Sequence, residues 1–135
     1  MNSRPIGIFD SGLGGLTAVK EIQRLLPQEN IVYFGDTGRV PYGSRSRETI
    51  IRYARQDMAF LQSNHVKMIV AACGTVSSTA IDVLREKYAG IPIIGVVDST
   101  AEYAVSITEN KRVGVIATAT TIGSRAFEKK LLSLD

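Results

Sequence analysis

Five short, continuously apolar segments, each followed by a segment with helical spacing, restrict the fold more than any other feature of this sequence. The apolar segments are residues 6–9, 31–34, 68–71, 93–97 and 113–116. The helical patterns that follow them are residues 16–26, 46–61, 76–87, 99–107 and 122–134. Strands that are apolar on both faces are typical of a parallel sheet covered by helices. The sequence therefore predicts an α/β fold, a parallel sheet with helices on both faces and right-handed crossovers.

Composition narrows the class of protein. The 135 residues are 44% hydrophobic and 21% charged, which is typical of a globular domain with its own core. A single cysteine and a single histidine exclude a disulfide framework and a cysteine-rich metal site. The absence of a leader and of an apolar run of about 18 residues predicts a cytoplasmic protein that does not engage a membrane.

Five arginines account for the modest net charge of +3. A basic run of this kind is sometimes a nucleic-acid patch, but no aromatic residues interleave with it. We therefore interpret it as a solvated helix face with one or two arginines that orient an anionic ligand, and we expect no nucleic acid as a partner. The arginines are Arg39, Arg45, Arg47, Arg52 and Arg55.

Polar loops follow four of the predicted strands. They are residues 10–15, 35–44, 73–77 and 118–124, all rich in Gly, Ser, Thr or Asp. The carboxyl ends of parallel strands meet at one edge, where open α/β sheets bind their ligands. The four loops together predict a site for a small anion that also carries an ammonium group.

Cys73 lies at the turn between the third strand and the next helix. A helix N-terminus favours the thiolate form of a cysteine, which can then act as a base or a nucleophile. Asp10 and Ser11 end the first strand, and a carboxylate near the thiol can exchange a proton with it or hold an ammonium group. Two structural alternatives stay open: Cys73 as a small buried hydrophobe, and Asp10 and Ser11 as a turn and helix-start signal.

Other candidate ligand contacts lie in the second and fourth loops. Tyr42 and Gly43 offer a hydroxyl and a bare backbone N–H to a carboxylate. Thr118 and Thr121 cluster similarly, although threonine is also a common helix cap. His65 is placed at the far end of a helix from these residues, and we expect it to be exposed and not catalytic.

Five segments in order carry a family resemblance. They read GIFDSGLGG at 7–15, YFGDT at 33–37, VPYG at 40–43, AACGT at 71–75 and GVIAT at 114–118. In their order and spacing they resemble the glutamate racemases of the aspartate/glutamate racemase family, over essentially the whole chain. The resemblance implies a flavodoxin-like lobe and an isomerase that interconverts L- and D-glutamate without cofactor or metal, supplying D-glutamate for peptidoglycan synthesis, cell wall biogenesis and cell shape.

The resemblance also implies roles for individual residues. One cysteine thiolate removes the α-proton of glutamate and a second cysteine, on the opposite face, returns one. Cys73 matches the first of the pair, and Asp10 matches a carboxylate that assists the proton transfer or holds the amino group. The matching substrate contacts are Asp10, Ser11, Tyr42, Gly43, Gly74, Thr75, Thr118 and Thr121. Gly74 stands where the family usually has Asn, so a side-chain hydrogen bond to the substrate is lost and the backbone N–H remains.

Family enzymes are longer and have two similar lobes, the second of which supplies the other cysteine. By that layout residues 1–97 form the first lobe, and residues 98–135 begin a second lobe that is cut short. We therefore expect this chain to be inactive alone, and a homodimer is a further possibility. Two alternatives remain open: a related aspartate racemase, and a non-catalytic module that binds an acidic amino acid.

Overall fold

The computed structural model describes residues 2–134, so residues 1 and 135, the outer limits of the two predicted lobes, lie outside it. Strands and helices alternate through the first 95 residues, and helices follow. In chain order the elements are β1 Ile6–Asp10, α1 Leu16–Leu25, β2 Ile31–Gly35, α2 Arg47–Ser63, β3 Met68–Ala71, α3 Gly74–Thr79, α4 Ile81–Lys87, β4 Ile93–Gly95, α5 Val96–Ile107, α6 Ala119–Ser124 and α7 Ala126–Ser133.

The four strands form one parallel sheet in the order β2-β1-β3-β4. Ile8 of β1 lies between Tyr33 of β2 and Val70 of β3, so β1 and β3 are central neighbours. The predicted parallel sheet is confirmed. Its order brings the carboxyl ends of β1 and β3 to the same edge, with Asp10 as the last residue of β1 and Cys73 shortly after β3.

Helices flank the sheet unequally. The chain moves from β1 to β2 in one direction and from β2 to β3 in the other, so right-handed crossovers put α1 and α2 on opposite faces. Helix α2 completely buries Ile50, Ala54, Met58 and Leu61, at helical spacing, whereas α1 has no buried residue. The main core therefore lies beneath α2, together with α3 and α4.

The predicted fifth strand, residues 113–116, is not formed. Within the described residues this segment pairs with no strand, and Ile116 is fully exposed. An apolar, β-branched segment becomes a strand only where a neighbouring strand accepts its backbone hydrogen bonds. Here α5 packs against α7 instead, and the segment runs beside them as irregular chain.

Three predicted boundaries of helices and strands also differ from those in the structure. The pattern at 76–87 is two helices that meet at Ala80, and the pattern at 122–134 is two helices that meet at Arg125, whose φ of 56° is left-handed. The fourth strand ends at Gly95 because Val96 already begins α5. The predicted lobe boundary at residue 97 thus falls inside α5, and the division into lobes stays a prediction.

Candidate active site

Cys73 caps the N-terminus of α3 directly after β3. Its Sγ accepts a hydrogen bond from the backbone N–H of Val76 at 3.5 Å and lies 3.5 Å from the hydroxyl oxygen of Ser11. Only 4% of the residue is exposed, so Cys73 is buried, and it belongs to the same hydrophobic cluster as Val76. The loops after β1 and β3 were predicted to converge. They meet here through the contact between the sulfur of Cys73 and the hydroxyl of Ser11.

Asp10 organises the glycine turn after β1. Its Oδ2 accepts the backbone N–H of Gly15 at 3.0 Å. A Cβ at Gly15 would lie 2.8 Å from the Cβ of Asp10, closer than side-chain atoms approach one another, so only glycine fits this turn. The carboxylate is buried and is held at the sheet edge by the turn that it stabilises.

Tyr33 is a neighbour that the sequence analysis assigned no role. Its hydroxyl donates to the carbonyl of Gly12 at 2.9 Å and fixes the same turn from β2. Burial raises the pKa of Tyr33, and the negative charges of Asp10 and Cys73 raise it further. The Tyr33 hydroxyl therefore lies close enough to Asp10 and to Cys73 for both groups to raise its pKa. Asp10 and Cys73 thus share one electrostatic environment.

A cluster of threonine hydroxyls joins the fourth loop to α3. The Oγ1 of Thr118 lies 3.1 Å from the Oγ1 of Thr75 and 3.1 Å from that of Thr121, and Ser78 donates to Thr121 at 3.2 Å. Thr118 also caps α6 by accepting the N–H of Thr121. The fourth loop thus reaches the predicted site, although no strand precedes it.

The second loop completes the wall beside these threonines. The carbonyl of Gly43 accepts the hydroxyl of Thr120 at 2.7 Å, and a Cβ on Gly43 would lie 2.6 Å from the Cγ2 of Thr118. Tyr42, only 1% exposed, directs its hydroxyl to Asp36 and Asp57. The Tyr42 hydroxyl is therefore engaged inside the protein, contrary to expectation, and leaves only the backbone to meet a ligand.

The carboxylates around Tyr42 form a buried network. Arg39 donates to Asp36 at 2.7 Å and to Asp57 at 3.1 Å, and its guanidinium stacks 4.2 Å from the centre of the Tyr53 ring. Burial raises the pKa of Asp57 to about 7, the hydrogen bond from Tyr42 lowers it, the charge of Asp36 raises it and that of Arg39 lowers it. Burial also raises the pKa of Tyr42, as do the two carboxylates.

Asp57 and Arg39 were missed as a pair by the sequence analysis. Asp57 follows Ile50 and Ala54 on the buried stripe of α2, and an acid on such a stripe is the signal that identifies it. Arg39 was grouped with the solvated arginines, but its partners are carboxylates of its own chain. His65 lies exposed at the end of α2, as predicted.

Gly74, where the resemblance expects Asn, faces open space. A Cβ built on it meets no atom within 4 Å among the described residues. Packing therefore does not require glycine here. Within residues 2–134, no three His, Cys, Asp or Glu side chains come together as metal ligands, and no helix is long and apolar enough to cross a bilayer.

A cavity lies behind the threonine cluster, on the side of α5 and α7. It has a volume of about 460 Å³, and Thr121 contributes to its wall. Its remaining walls come from α5, the irregular chain, α6 and α7. The apolar members are Val105, Val113, Val115, Ile122, Phe127, Leu131 and Leu132.

Comparison with known proteins places this geometry in a family. A family model described as Asp/Glu/Hydantoin racemase matches residues 7–135. A glutamate racemase of Chlorobaculum tepidum is 56% identical over 123 residues, covering 91% of this chain and 45% of that protein. Another, from Sulfurihydrogenibium, is 52% identical over 132 residues, covering 97% and 50%.

Solved structures agree with the sequence relatives. A glutamate racemase isoform of Bacillus anthracis matches with a TM-score of 0.96 and 41% identity, covering all of this chain and 50% of that one. The Francisella tularensis glutamate racemase, solved in complex with D-glutamate, matches with a TM-score of 0.90 and 44% identity, covering 98% and 49%. The chain spans about half the length of the curated relatives that it matches.

Proposed function

The chain belongs to the Asp/Glu/hydantoin racemase family, and from this membership we propose that it forms one half of a cofactor-independent site that racemises glutamate. The observation that carries the proposal is the position of Cys73. Its sulfur caps α3 at the edge where β1 and β3 end, 3.5 Å from Ser11 and in the same electrostatic environment as Asp10. Supply of D-glutamate for the cell wall, in the cytoplasm, belongs to the same proposal.

Racemisation needs two acid–base groups on opposite faces of the α-carbon. The Cys73 thiolate takes the α-proton, and the electron pair left on carbon is delocalised into the neighbouring carboxylate. Inversion requires that a different group return a proton from the other side. Cys73 is the only cysteine among the 135 residues, so a two-cysteine mechanism takes its second cysteine from outside this chain or from a second copy.

The polar groups around the sulfur suit the rest of the substrate. We assign the ammonium group to the carboxylate of Asp10. The hydroxyls of Ser11, Thr75, Thr118 and Thr121 and the backbone N–H groups of Tyr42, Gly43 and Gly74 are assigned to the two carboxylates of glutamate. Hydrogen bonds to a developing negative charge are the largest contribution that such a site makes to catalysis.

The proposal is tested by proton exchange and by circular dichroism. One base on one face exchanges the α-hydrogen of one enantiomer with deuterium oxide but does not invert it. We expect the chain to show this exchange by NMR and to leave the ellipticity of both enantiomers constant. Cys73→Ala abolishes the exchange, whereas Ser99→Ala, an exposed substitution on α5, leaves it unchanged.

Two outcomes would overturn the proposal. Steady loss of ellipticity at a protein concentration where gel filtration shows a monomer would mean that the chain racemises glutamate without a second cysteine. Exchange that persists in Cys73→Ala would remove the sulfur from its role. The same measurement with aspartate separates the two racemase alternatives, because only the true substrate loses its α-hydrogen. Ligand shifts in the NMR spectrum without exchange for either acid would indicate a binding module.

A further inference from the structure

Tyr42 has one hydroxyl proton but two carboxyl partners. Its oxygen lies within hydrogen-bond distance of Asp36 and 3.0 Å from the Oδ2 of Asp57. A phenol donates one hydrogen bond, so both contacts are hydrogen bonds only when one of the carboxyl groups is protonated and donates to the phenol oxygen. The geometry thus requires one additional proton in this network.

Asp57 is the residue that holds this proton. It has no exposed surface, and its contact with Arg39 is 3.1 Å, whereas Asp36 accepts the same guanidinium at 2.7 Å. A neutral Asp57 leaves the partly buried cation of Arg39 paired with the buried carboxylate of Asp36, and an ionised Asp57 adds an unbalanced negative charge. The raised pKa of Asp57, about 7, agrees with this assignment.

The groups that act on Asp57 come from the second loop. Among the described residues, these are Asp36, Arg39 and Tyr42. The other elements packed against α2 contribute apolar side chains to the same cluster, such as Phe9 from β1 and Leu84 from α4. Within residues 2–134, the ionisable groups that shift the pKa of Asp57 therefore all belong to the loop.

The same loop forms a wall of the candidate site. Tyr42 is followed directly by Gly43, whose carbonyl accepts the hydroxyl of Thr120 and whose Cα has no room for a side chain beside Thr118. Thr118 in turn touches Thr75, two residues after Cys73. The anchor of the Tyr42 hydroxyl on α2 therefore decides where the backbone of Gly43 meets the threonine cluster.

We propose that Asp57 is a positioning residue: in its protonated form it anchors Tyr42 and so holds the Gly43 wall against the threonines, and its ionisation loosens that wall. Ionisation removes the donated hydrogen bond and puts a second carboxylate beside Asp36. That the wall contacts substrate rests on the function proposed above. The coupling of Asp57 to the loop does not depend on that function.

Hydrogen exchange of the loop backbone tests the coupling. Peptides covering residues 36–46 are followed by mass spectrometry from pH 5.5 to 8.5, with the chemical pH dependence of exchange removed. Loss of one buried hydrogen bond raises the opening equilibrium by about tenfold, so we expect protection in the loop to fall by that factor as pH rises through 7. Protection independent of pH overturns the proposal without any variant.

Two variants separate Asp57 from other titrating groups. Asp57→Asn has an amide that donates as the protonated acid does, and we expect loop protection that is high and constant across the range. His65→Gln removes the single histidine of the chain, which is exposed at the end of α2, and we expect the wild-type profile. A pH-dependent profile in folded Asp57→Asn, or a flat one in His65→Gln, contradicts the proposal.

A third variant removes the link between α2 and the loop. Tyr42→Phe lacks the hydroxyl, so we expect low protection of residues 36–46 at every pH. A wild-type profile in Tyr42→Phe overturns the role given to the hydroxyl. Far-UV circular dichroism establishes whether each variant is folded. If a variant does not fold, the pH dependence of loop protection in the wild-type protein decides whether the proposal holds.

A thiol measurement connects the wall to the site and depends on the proposed function. Alkylation of Cys73 by iodoacetamide is measured with increasing glutamate at pH 6 and pH 8. We expect half-protection to need about tenfold more glutamate at pH 8 in the wild type and an equal amount at both pH values in Asp57→Asn. No protection at either pH counts against glutamate as the ligand, and the exchange result then still decides the role of Asp57.

Discussion

At the scale of single residues, close contacts decide which positions tolerate change. Gly43 and Gly74 have the same side chain and opposite surroundings. A Cβ on Gly43 would lie 2.6 Å from a Thr118 methyl group, and one on Gly74 would meet nothing within 4 Å of the described residues. Neither glycine has a positive φ, so space and not backbone conformation distinguishes them.

The two glycines therefore form a matched pair. We expect Gly43→Ala to lower the free energy of unfolding by about 1–3 kcal/mol, because the loop or Thr118 must move. Gly74→Ala, at the first position of α3, should change it by less than about 1 kcal/mol and towards greater stability, because alanine favours a helix. Urea denaturation of both variants checks this, and equal effects would contradict the contact.

The buried network also gives stability a pH dependence. Asp57 has a pKa of about 7 in the folded protein and 3.8 as an ordinary side chain, so between these values the folded state holds a proton that the unfolded state has lost. Stability contributed by this group therefore falls as pH rises from about 4 to about 7 and is constant above that.

Asp57→Asn removes this titration. We expect the free energy of unfolding of the variant, relative to wild type, to rise between pH 4 and pH 7. Urea denaturation at pH 4.5, 6 and 7.5 measures the difference. Asp82→Asn, which removes an exposed acid from the first turn of α4, serves as the control and should show no comparable trend. A constant difference for Asp57→Asn would contradict its raised pKa.

At the scale of elements, the buried stripe of α2 has two roles. The stripe covers the sheet with aliphatic side chains, and the same stripe carries Asp57 to the loop that precedes the helix. Ser46 ends that loop and caps the helix by accepting the backbone N–H of Thr49 at 3.2 Å. The cap thus fixes the junction between the loop and the helix that anchors it.

Loss of this cap should be measurable. We expect Ser46→Ala to lower the free energy of unfolding by about 1 kcal/mol, because an N–H of the first turn loses its partner. Ser106→Ala, at an exposed position of α5, should change it by less than about 0.5 kcal/mol, since alanine is the better helix former. Chemical denaturation of the two variants distinguishes a cap from an ordinary serine.

At the scale of the whole molecule, burial is uneven. The face of the sheet beneath α2 has a closed core, whereas α5, α6, α7 and the irregular segment surround an apolar cavity of about 460 Å³. Leu132 at its wall is 70% exposed. Contiguous exposed apolar surface of this kind binds hydrophobic molecules from water.

A hydrophobic dye should detect this cavity. We expect anilinonaphthalene sulfonate to become fluorescent with the native chain, and Leu132→Glu to reduce the signal several-fold by placing a charge in the cavity wall. Leu25→Glu, at an equally exposed leucine on α1 that does not line the cavity, should leave most of the signal. Equal losses in the two variants would place the dye elsewhere.

The sequence by itself determined the parallel sheet and the position of Cys73 at its edge. Continuously apolar segments are sufficient to predict strands buried on both faces, and a residue that follows such a strand lies at the carboxyl edge whatever the details of packing. The resemblance in five segments also predicted the family. These conclusions depend on local pattern alone.

Only the tertiary structure decided which strands pair and which side chains form hydrogen bonds with one another. The segment at 113–116 has the composition of a strand, but a strand forms only beside another, and sequence composition does not reveal a missing neighbour. Likewise Tyr42 was expected to offer its hydroxyl to a ligand, and the hydroxyl is instead hydrogen-bonded to two carboxyl groups, of which Asp57 lies 15 residues further along the chain. Long-range hydrogen bonds follow from how elements pack, and packing is a property of the whole fold.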